Sequence, residues 1–236
     1  MNTLKKECKK FGLLLMALAM VASFILPGAS YARAGELAML TMKSEYFTYI
    51  AKGKGKFEFE VTGLDKDYNP VGVEARKVKV KSSNENAVQA KVDNKQGKAM
   101  VKVNIAKLED AVITISYADS KVDSVTSNVF VDSEKPTANN VILKVEGYPD
   151  QTVTVNKGLP DGYGAVLQNA PTALGALKAG GYTLDVSNGY LQGINGKMAT
   201  WSPYHGWKYK VNGVEPAFGV GVYRINSGDK VEFIYE

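Results

Sequence analysis

Trp201-Ser-Pro-Tyr-His-Gly-Trp-Lys-Tyr-Lys-Val-Asn-Gly213, followed after a loop by Ser227-Gly-Asp-Lys-Val-Glu-Phe-Ile-Tyr-Glu236, decides how the second half of this chain is read. From Trp207 the residues alternate. Trp207, Tyr209 and Val211 fall on one face and Lys208 and Lys210 on the other, the period-two pattern of a half-buried strand. Trp207 is therefore expected to be mostly buried. Asn212-Gly213 supplies turn chemistry that ends the strand, and Lys230 to Tyr235 reads as a further strand. Ahead of Trp207 the sequence predicts a loop that gathers Trp201, Tyr204 and His205, the sole histidine of the chain. The bulkiest stacking groups and the best nitrogen ligand stand together there.

Outward from this stretch, Val141 to Glu146 is a strand, Gly147 to Asp150 a turn and Thr152 to Val155 its hairpin partner. Asn169 is expected to cap a helix whose first turn holds Pro171, with Gly180-Gly181 ending it after Lys178. Leu174 and Leu177 form one apolar stripe of that helix, and its alanines allow close approach to a sheet. Tyr182 to Val186 and Tyr190 to Ile194 follow as strands across a Ser187-Asn-Gly189 turn, and Asn195-Gly196 turns again. Two strands, one helix and then several strands is the order in which a β-grasp packs a mixed sheet over a single helix.

The same residues carry a resemblance. Gly206-Trp-Lys-Tyr-Lys-Val-Asn-Gly213, a glycine-containing loop with Tyr223, and Ser227-Gly-Asp-Lys-Val-Glu-Phe-Ile-Tyr235 resemble the pattern of the transcobalamin-like C-terminal domain family. That β-grasp-like module occurs in secreted proteins of Gram-positive bacteria and is related to the C-terminal domain of the cobalamin carriers. The resemblance covers residues 141-236, through Trp207, Tyr209, Val211, Asn212, Gly213, Gly228, Asp229 and Val231. It implies a β-grasp-like domain that captures cobalamin or a related corrinoid through aromatic loops. In the carriers a helical barrel covers the other side of the corrin. Nothing in residues 35-140 reads as helical repeats, so affinity should fall or a partner must supply that surface. The pattern transfers no cobalt-contacting residue.

At the other end of the chain, Lys5, Lys6, Lys9 and Lys10 precede an apolar run from Phe11 to Leu26, then Pro27-Gly28 and small-residue sites up to Ala34. Charged, apolar and cleavage regions in that order read as a secretory signal peptide over residues 1-34. The run is shorter than the roughly 20 apolar residues needed to span a bilayer. Secretion to the outside or the cell surface is the expected location. The last strand reaches Glu236, so no cell-wall sorting signal is expected after it.

Removal of that segment changes the balance of charge. The chain has 29 basic and 24 acidic residues, a formal net charge of +5. Five basic residues and one acid lie in residues 1-34, which leaves 24 against 23 and a net of +1. The basic footprint that nucleic-acid binding needs is gone. Cys8, the one cysteine, leaves with the same segment, so the mature chain has no disulfide, thiol nucleophile or cysteine-held metal.

Residues 35-131 read as an immunoglobulin-like β-sandwich. Lys56 to Val61 alternates, and Val71 to Val80, Ala87 to Val92, Ala99 to Ile105, Ala111 to Tyr117 and Val122 to Val131 follow as strands. The segment resembles bacterial immunoglobulin-like surface domains, which implies a spacing or adhesive role. Lys77, Lys79 and Lys81 read as one solvated strand face. Asp65, Asp67 and Asn69 have the i, i+2, i+4 spacing of a calcium loop, but no glycine stands sixth and no glutamate twelfth, so an ordinary acidic turn is expected. Asp132-Ser-Glu-Lys-Pro-Thr-Ala-Asn-Asn140 is polar and lacks an apolar period, which marks a linker over 132-140 and a domain boundary.

Catalysis has little to work with. The sole His205 has no Ser-His-Asp context and no glycine-flanked nucleophile, so no catalytic residue is assigned and the chain reads as a non-enzymatic binding protein. Each candidate ligand-binding residue keeps two readings. His205 is an exposed loop residue that hydrogen-bonds a neighbouring carbonyl, or a nitrogen ligand to a corrinoid cobalt or haem iron. Trp207 packs in a core or meets a ligand. Trp201 and Tyr204, ahead of the strand, suit stacking on a flat ligand. Phe218 and Tyr223, in Phe218-Gly-Val-Gly-Val-Tyr223, and Tyr163, in the loop Gly158 to Gly164, complete the set; their glycines permit close backbone approach or only turns. The other reading of function is a cell-surface protein that uses the same loops or an open sheet edge to bind another protein or a cell-wall glycan.

Overall fold

The computed structural model describes residues 35–160 and 162–236; the expected signal peptide lies outside them. The chain divides into two compact units. One takes the described residues up to Tyr49 together with Lys54–Val129, the other Ile50–Gly53 together with Phe130–Glu236. The fold is mainly β, an immunoglobulin-like sandwich followed by a small α+β arrangement.

The sandwich is built from β1 (Met39–Thr41), β2 (Thr48–Ala51), β3 (Gly55–Leu64), β4 (Pro70–Val71), β5 (Val78–Ser82), β6 (Val88–Lys95), β7 (Lys98–Ile105), β8 (Ala111–Tyr117) and β9 (Val125–Val131). One sheet has the order β1-β3-β7-β6 with β4 on β3, the other β2-β9-β8-β5. Period-two patterning sets the register. Phe59 pairs with Val101 and Val61 with Ala99, and all four are buried. Glu58 and Glu60, one step away, point out to Lys95 and Lys98 at 2.9 Å.

The strand expected over Val71 to Val80 is broken. It stops at Val71, a 3-10 turn takes Ala75–Lys77, and pairing resumes at Val78. Glu74 gathers Arg76 at 2.8 Å and Lys77 at 2.6 Å while Ala75 is buried. Lys77 therefore ends the 3-10 turn, and Lys79 and Lys81 lie in the strand that follows it. In the acidic turn the Asp65 carboxylate accepts the backbone N–H groups of Asn69 and Asp67, each at 2.9 Å. The bond from Asn69, ahead of the others, holds the Asp65 pKa below the ordinary carboxylate value.

The second unit contains β10 (Ala138–Val145), β11 (Gln151–Val155), helix α1 (Ala173–Ala179), β12 (Leu184–Ser187), β13 (Tyr190–Ile194), β14 (Lys197–Met198), β15 (Thr200–Trp201), β16 (Tyr204–His205), β17 (Trp207–Val211) and β18 (Lys230–Tyr235). Its main sheet is mixed, in the order β11-β10-β18-β17, with β10 and β18 parallel. A three-stranded sheet β12-β13-β14 and a ribbon β15-β16 complete it. β10 begins at Ala138, ahead of the expected Val141, with a bulge between those two residues.

Helix α1 has seven residues, too few to persist alone in water. Burial holds it: Ala173, Leu174, Ala176 and Leu177 are fully inaccessible and share one core with Leu143, Val155, Val231 and Phe233. Its cap differs from the expected one. Thr172 is the N-cap, its hydroxyl accepting the Gly175 N–H at 3.0 Å. Asn169 is drawn away by Asp132, whose carboxylate accepts its backbone N–H at 2.9 Å and its side-chain amide at 3.1 Å. Pro171 consequently precedes the cap instead of sitting in the first turn.

Candidate functional site

The segment expected to be a loop before Trp207 is a tight hairpin. Thr200 pairs with His205 and Trp201 with Tyr204, around a cis Ser202-Pro203 bond. The ribbon carries its large side chains outward: Trp201 is 59% exposed and Tyr204 53%, and His205 is exposed beside them. The Trp201 and Tyr204 ring centroids lie 5.5 Å apart with the planes tilted by 51°. The two aromatics thus support one another while leaving most of both surfaces to solvent.

Trp207, two residues beyond His205, behaves in the opposite way. It is 8% exposed, its indole N–H donates to the Lys197 carbonyl at 2.8 Å, and it packs edge-on against Tyr235, its cross-strand partner, at 5.3 Å. Trp207 thus packs in the core of the second unit. Tyr209, next on the same face, is half-buried and its hydroxyl donates to the Phe218 carbonyl at 2.5 Å. Burial pushes the Tyr209 pKa above the ordinary phenol value.

The remaining candidates gather away from the hairpin. Tyr223 packs edge-on against Tyr209 at 6.1 Å, and Phe218, partly exposed, meets Phe130 edge-on at 5.3 Å. Tyr163 is partly buried against the main core, its carbonyl accepting the Gly189 N–H at 2.8 Å. The structure therefore brings Trp201, Tyr204 and His205 together on one hairpin and places Phe218, Tyr223 and Tyr163 in packing contacts elsewhere in the unit.

Three glycines of the two candidate loops answer to packing, while Gly162 and Gly219 have open space around them. A Cβ at Gly158 would stand 1.7 Å from the Leu167 carbonyl oxygen, and one at Gly164, whose φ is +81°, would stand 2.5 Å from Asn188 Cα. A Cβ at Gly221 would meet the Val166 side chain at 2.6 Å. These are close approaches of the chain to itself. Among the described residues no cluster of three or more His, Cys, Asp or Glu is placed to hold a metal ion, which leaves His205 as a single available nitrogen.

Sequence reasoning missed the residues around the base of the hairpin. Lys197 places its ammonium 4.0 Å from the Tyr235 ring centroid and 5.2 Å from that of Trp207. The Tyr235 hydroxyl donates to the Met198 carbonyl at 2.7 Å. Tyr235 was available from the alternation Val231, Phe233, Tyr235, which puts it on the core side. Lys197 carried no such signal, since a lysine after Asn-Gly reads as an ordinary solvated turn residue.

Residues 164–236 match a family described as Domain of unknown function (DUF4430), a span that takes in α1, the hairpin, β17 and β18. No curated protein matches the chain. Among solved structures, domains 4 and 5 of the S-layer protein SbsC are similar at 23% identity and a TM-score of 0.32, over 40% of this chain and 51% of that one. SbsC domains 1-6 are similar at 17% identity and a TM-score of 0.34, over 88% and 22%. The N-terminal eight Ig domains of Down Syndrome Cell Adhesion Molecule follow at 7% identity and a TM-score of 0.30, over 87% and 28%. The chain thus spans about half the length of the first of these structures. Among the described residues no helix is long and apolar enough to cross a membrane.

Proposed function

We propose that this is a secreted, cell-surface-associated, non-enzymatic binding protein in which the hairpin Thr200–His205 makes the ligand contact. The observation that carries this reading is the exposure of Trp201 and Tyr204 on an ordered hairpin. Large aromatics are normally placed inside, and a group of them left outside marks an interaction surface. In this reading residues 1-34 are the signal peptide, 35-131 a spacer domain, 132-140 the linker and 141-236 a transcobalamin-like domain. The DUF4430 match over 164–236 covers the motif residues on which that last assignment rests.

The ligand that the family resemblance suggests is cobalamin or a related corrinoid. Trp201 and Tyr204 would supply apolar contact with the macrocycle, and exposed His205 would supply a nitrogen ligand to its metal. The second reading, a surface protein or a cell-wall glycan, is favoured by two features of the same hairpin. Its rings are tilted by 51° instead of lying coplanar, and residues 199–206 contain no acid, lysine or arginine. Aromatic faces beside hydroxyl and imidazole groups suit a neutral sugar as well as a macrocycle.

Visible absorbance and calorimetric titration with cobalamin, cobinamide and haem separates these. A spectral shift that His205→Ala removes is the result expected of a corrinoid site. No binding at about 100 μM, weaker than roughly 5.5 kcal/mol, rules out a stand-alone carrier and leaves the glycan or protein contact, to be read by pull-down on cell-wall material.

A further inference from the structure

A ribbon of two two-residue strands is not expected to hold its own shape in water, because even longer isolated hairpins are marginal. This one also exposes Trp201 and Tyr204, which a floppy chain would fold back onto the core. Something outside the ribbon must keep it in place. Both of its stems are fixed by residues far off in sequence.

On the entering side, the Lys197 carbonyl accepts the Trp207 indole N–H at 2.8 Å and the Met198 carbonyl accepts the Tyr235 hydroxyl at 2.7 Å. Ala199 then donates its N–H to the Gln192 carbonyl at 2.7 Å. On the leaving side, Gly206 and Glu236 exchange both backbone hydrogen bonds, at 2.7 and 3.1 Å. The Lys197 side chain closes the arrangement. Its ammonium lies over the Tyr235 and Trp207 rings, and Glu146 stands 3.8 Å from it. The same Glu146 accepts the backbone N–H of Tyr235 at 3.0 Å.

We infer that Lys197, Trp207 and Tyr235 form a clasp that holds the Trp201–Tyr204 hairpin in a fixed, outward orientation. Each aromatic contributes twice, through its ring beneath the ammonium and through its polar tip to a stem carbonyl. Trp207 and Tyr235 are positioning residues in this arrangement: they act through the hairpin they hold. Such pre-organisation spares a ligand the ordering of the surface it meets. The value of the clasp to binding rests on the proposed role of the hairpin, but its existence does not.

Amide hydrogen exchange on the full chain tests it without any ligand. Lys197→Gln removes the cation, Tyr235→Phe the hydroxyl and Trp207→Phe the indole donor, while each keeps most of the packed volume. Each substitution is expected to speed exchange at Ala199, Gly206 and the hairpin amides by about three- to tenfold, as loss of one exposed cation–π contact or one hydrogen bond implies. Protection at Leu143, Val231 and Phe233 is expected to stay at the wild-type level, and Lys197→Arg to restore the hairpin. Unchanged exchange at the hairpin overturns the clasp. So does an equal loss of protection through β10 and β18, which would make these residues general core supports. Titration of the same variants with cobalamin is read separately. Weakened binding that follows the loss of protection agrees with the clasp, whereas lost binding with unchanged exchange overturns it by making Lys197 itself a contact. Faster exchange with wild-type binding leaves the clasp standing and removes the hairpin as the contact.

Discussion

The two units treat their aromatic side chains in opposite ways. In the sandwich, Tyr46, Tyr49, Phe57 and Phe59 stack on one another, with Tyr49 and Phe57 centroids 3.9 Å apart, and the outer face of β3 and β7 is laced with Lys–Glu and Lys–Asp pairs. Its exposed large apolar residues, among those described, are Tyr68 and Leu108, a pair of single loop residues of the kind every surface carries. The second unit exposes eight, including Tyr190, Met198, Trp201 and Tyr204. Of these, Trp201 and Tyr204 stand together on one ordered hairpin, whereas Ile142, Tyr148, Val214 and Phe218 lie elsewhere in the unit.

The largest effects expected are those that confound exposure with aromatic character. Phe59, 2% exposed, should cost the first unit about 3-5 kcal/mol when changed to Ala, read by denaturant unfolding. Trp201→Ala should move stability by no more than about 0.5 kcal/mol while removing ligand binding. A comparable loss of stability from both would erase the contrast. Gly158→Ala comes next. The Leu167 carbonyl leaves no room for a Cβ, so the second unit should lose about 1-3 kcal/mol, which sets packing apart from ligand approach as the purpose of that glycine. Thr172→Ala removes the helix cap and should cost about 0.5-2 kcal/mol, with Thr172→Ser recovering most of it.

The smallest expected effects lie on the charged face. Lys102→Gln breaks the pair with Asp93, and because exposed ion pairs contribute little the unfolding midpoint should not move measurably. The Asp65 turn adds a pH signature in the same unit. Its folded pKa lies below the ordinary 3.8, so its contribution is present above that value and is lost as the pH falls through the folded one. Asp65→Asn should flatten the acid limb of the first unit's stability curve, measured by circular dichroism from pH 6 to 2.

Where period-two alternation governs, the sequence was legible to the residue: Ala111–Tyr117 and Lys230–Tyr235 are the strands expected. The class of fold followed from the same patterns. The misses have two causes, partners far away along the chain and short local features that carry no period. Asn169 has good cap chemistry, yet Asp132, 37 positions earlier, takes its amides and the cap passes to Thr172. Val71 to Val80 has strand composition, but the local Glu74, Arg76 and Lys77 cluster breaks it. The hairpin at Trp201 read as a loop because two-residue strands around Pro203 have no periodicity to detect. Its clasp joins Met198 to Tyr235, 37 positions apart, which no spacing announces. Trp201 and Tyr204 were identifiable as a candidate site; their support was not.

The central claim is that the Trp201–Tyr204 hairpin, and not the aromatics packed elsewhere in the unit, makes the contact. A single comparative titration tests it most directly: wild type, the double substitution Trp201→Ala with Tyr204→Ala, and the pair Phe218→Ala with Tyr223→Ala, each against cobalamin and against isolated cell-wall glycan, with circular dichroism confirming the fold. The account predicts that one of the two ligands binds the wild type and the Phe218 and Tyr223 variant alike and fails to bind the Trp201 and Tyr204 variant. Wild-type binding by the Trp201 and Tyr204 variant would contradict it.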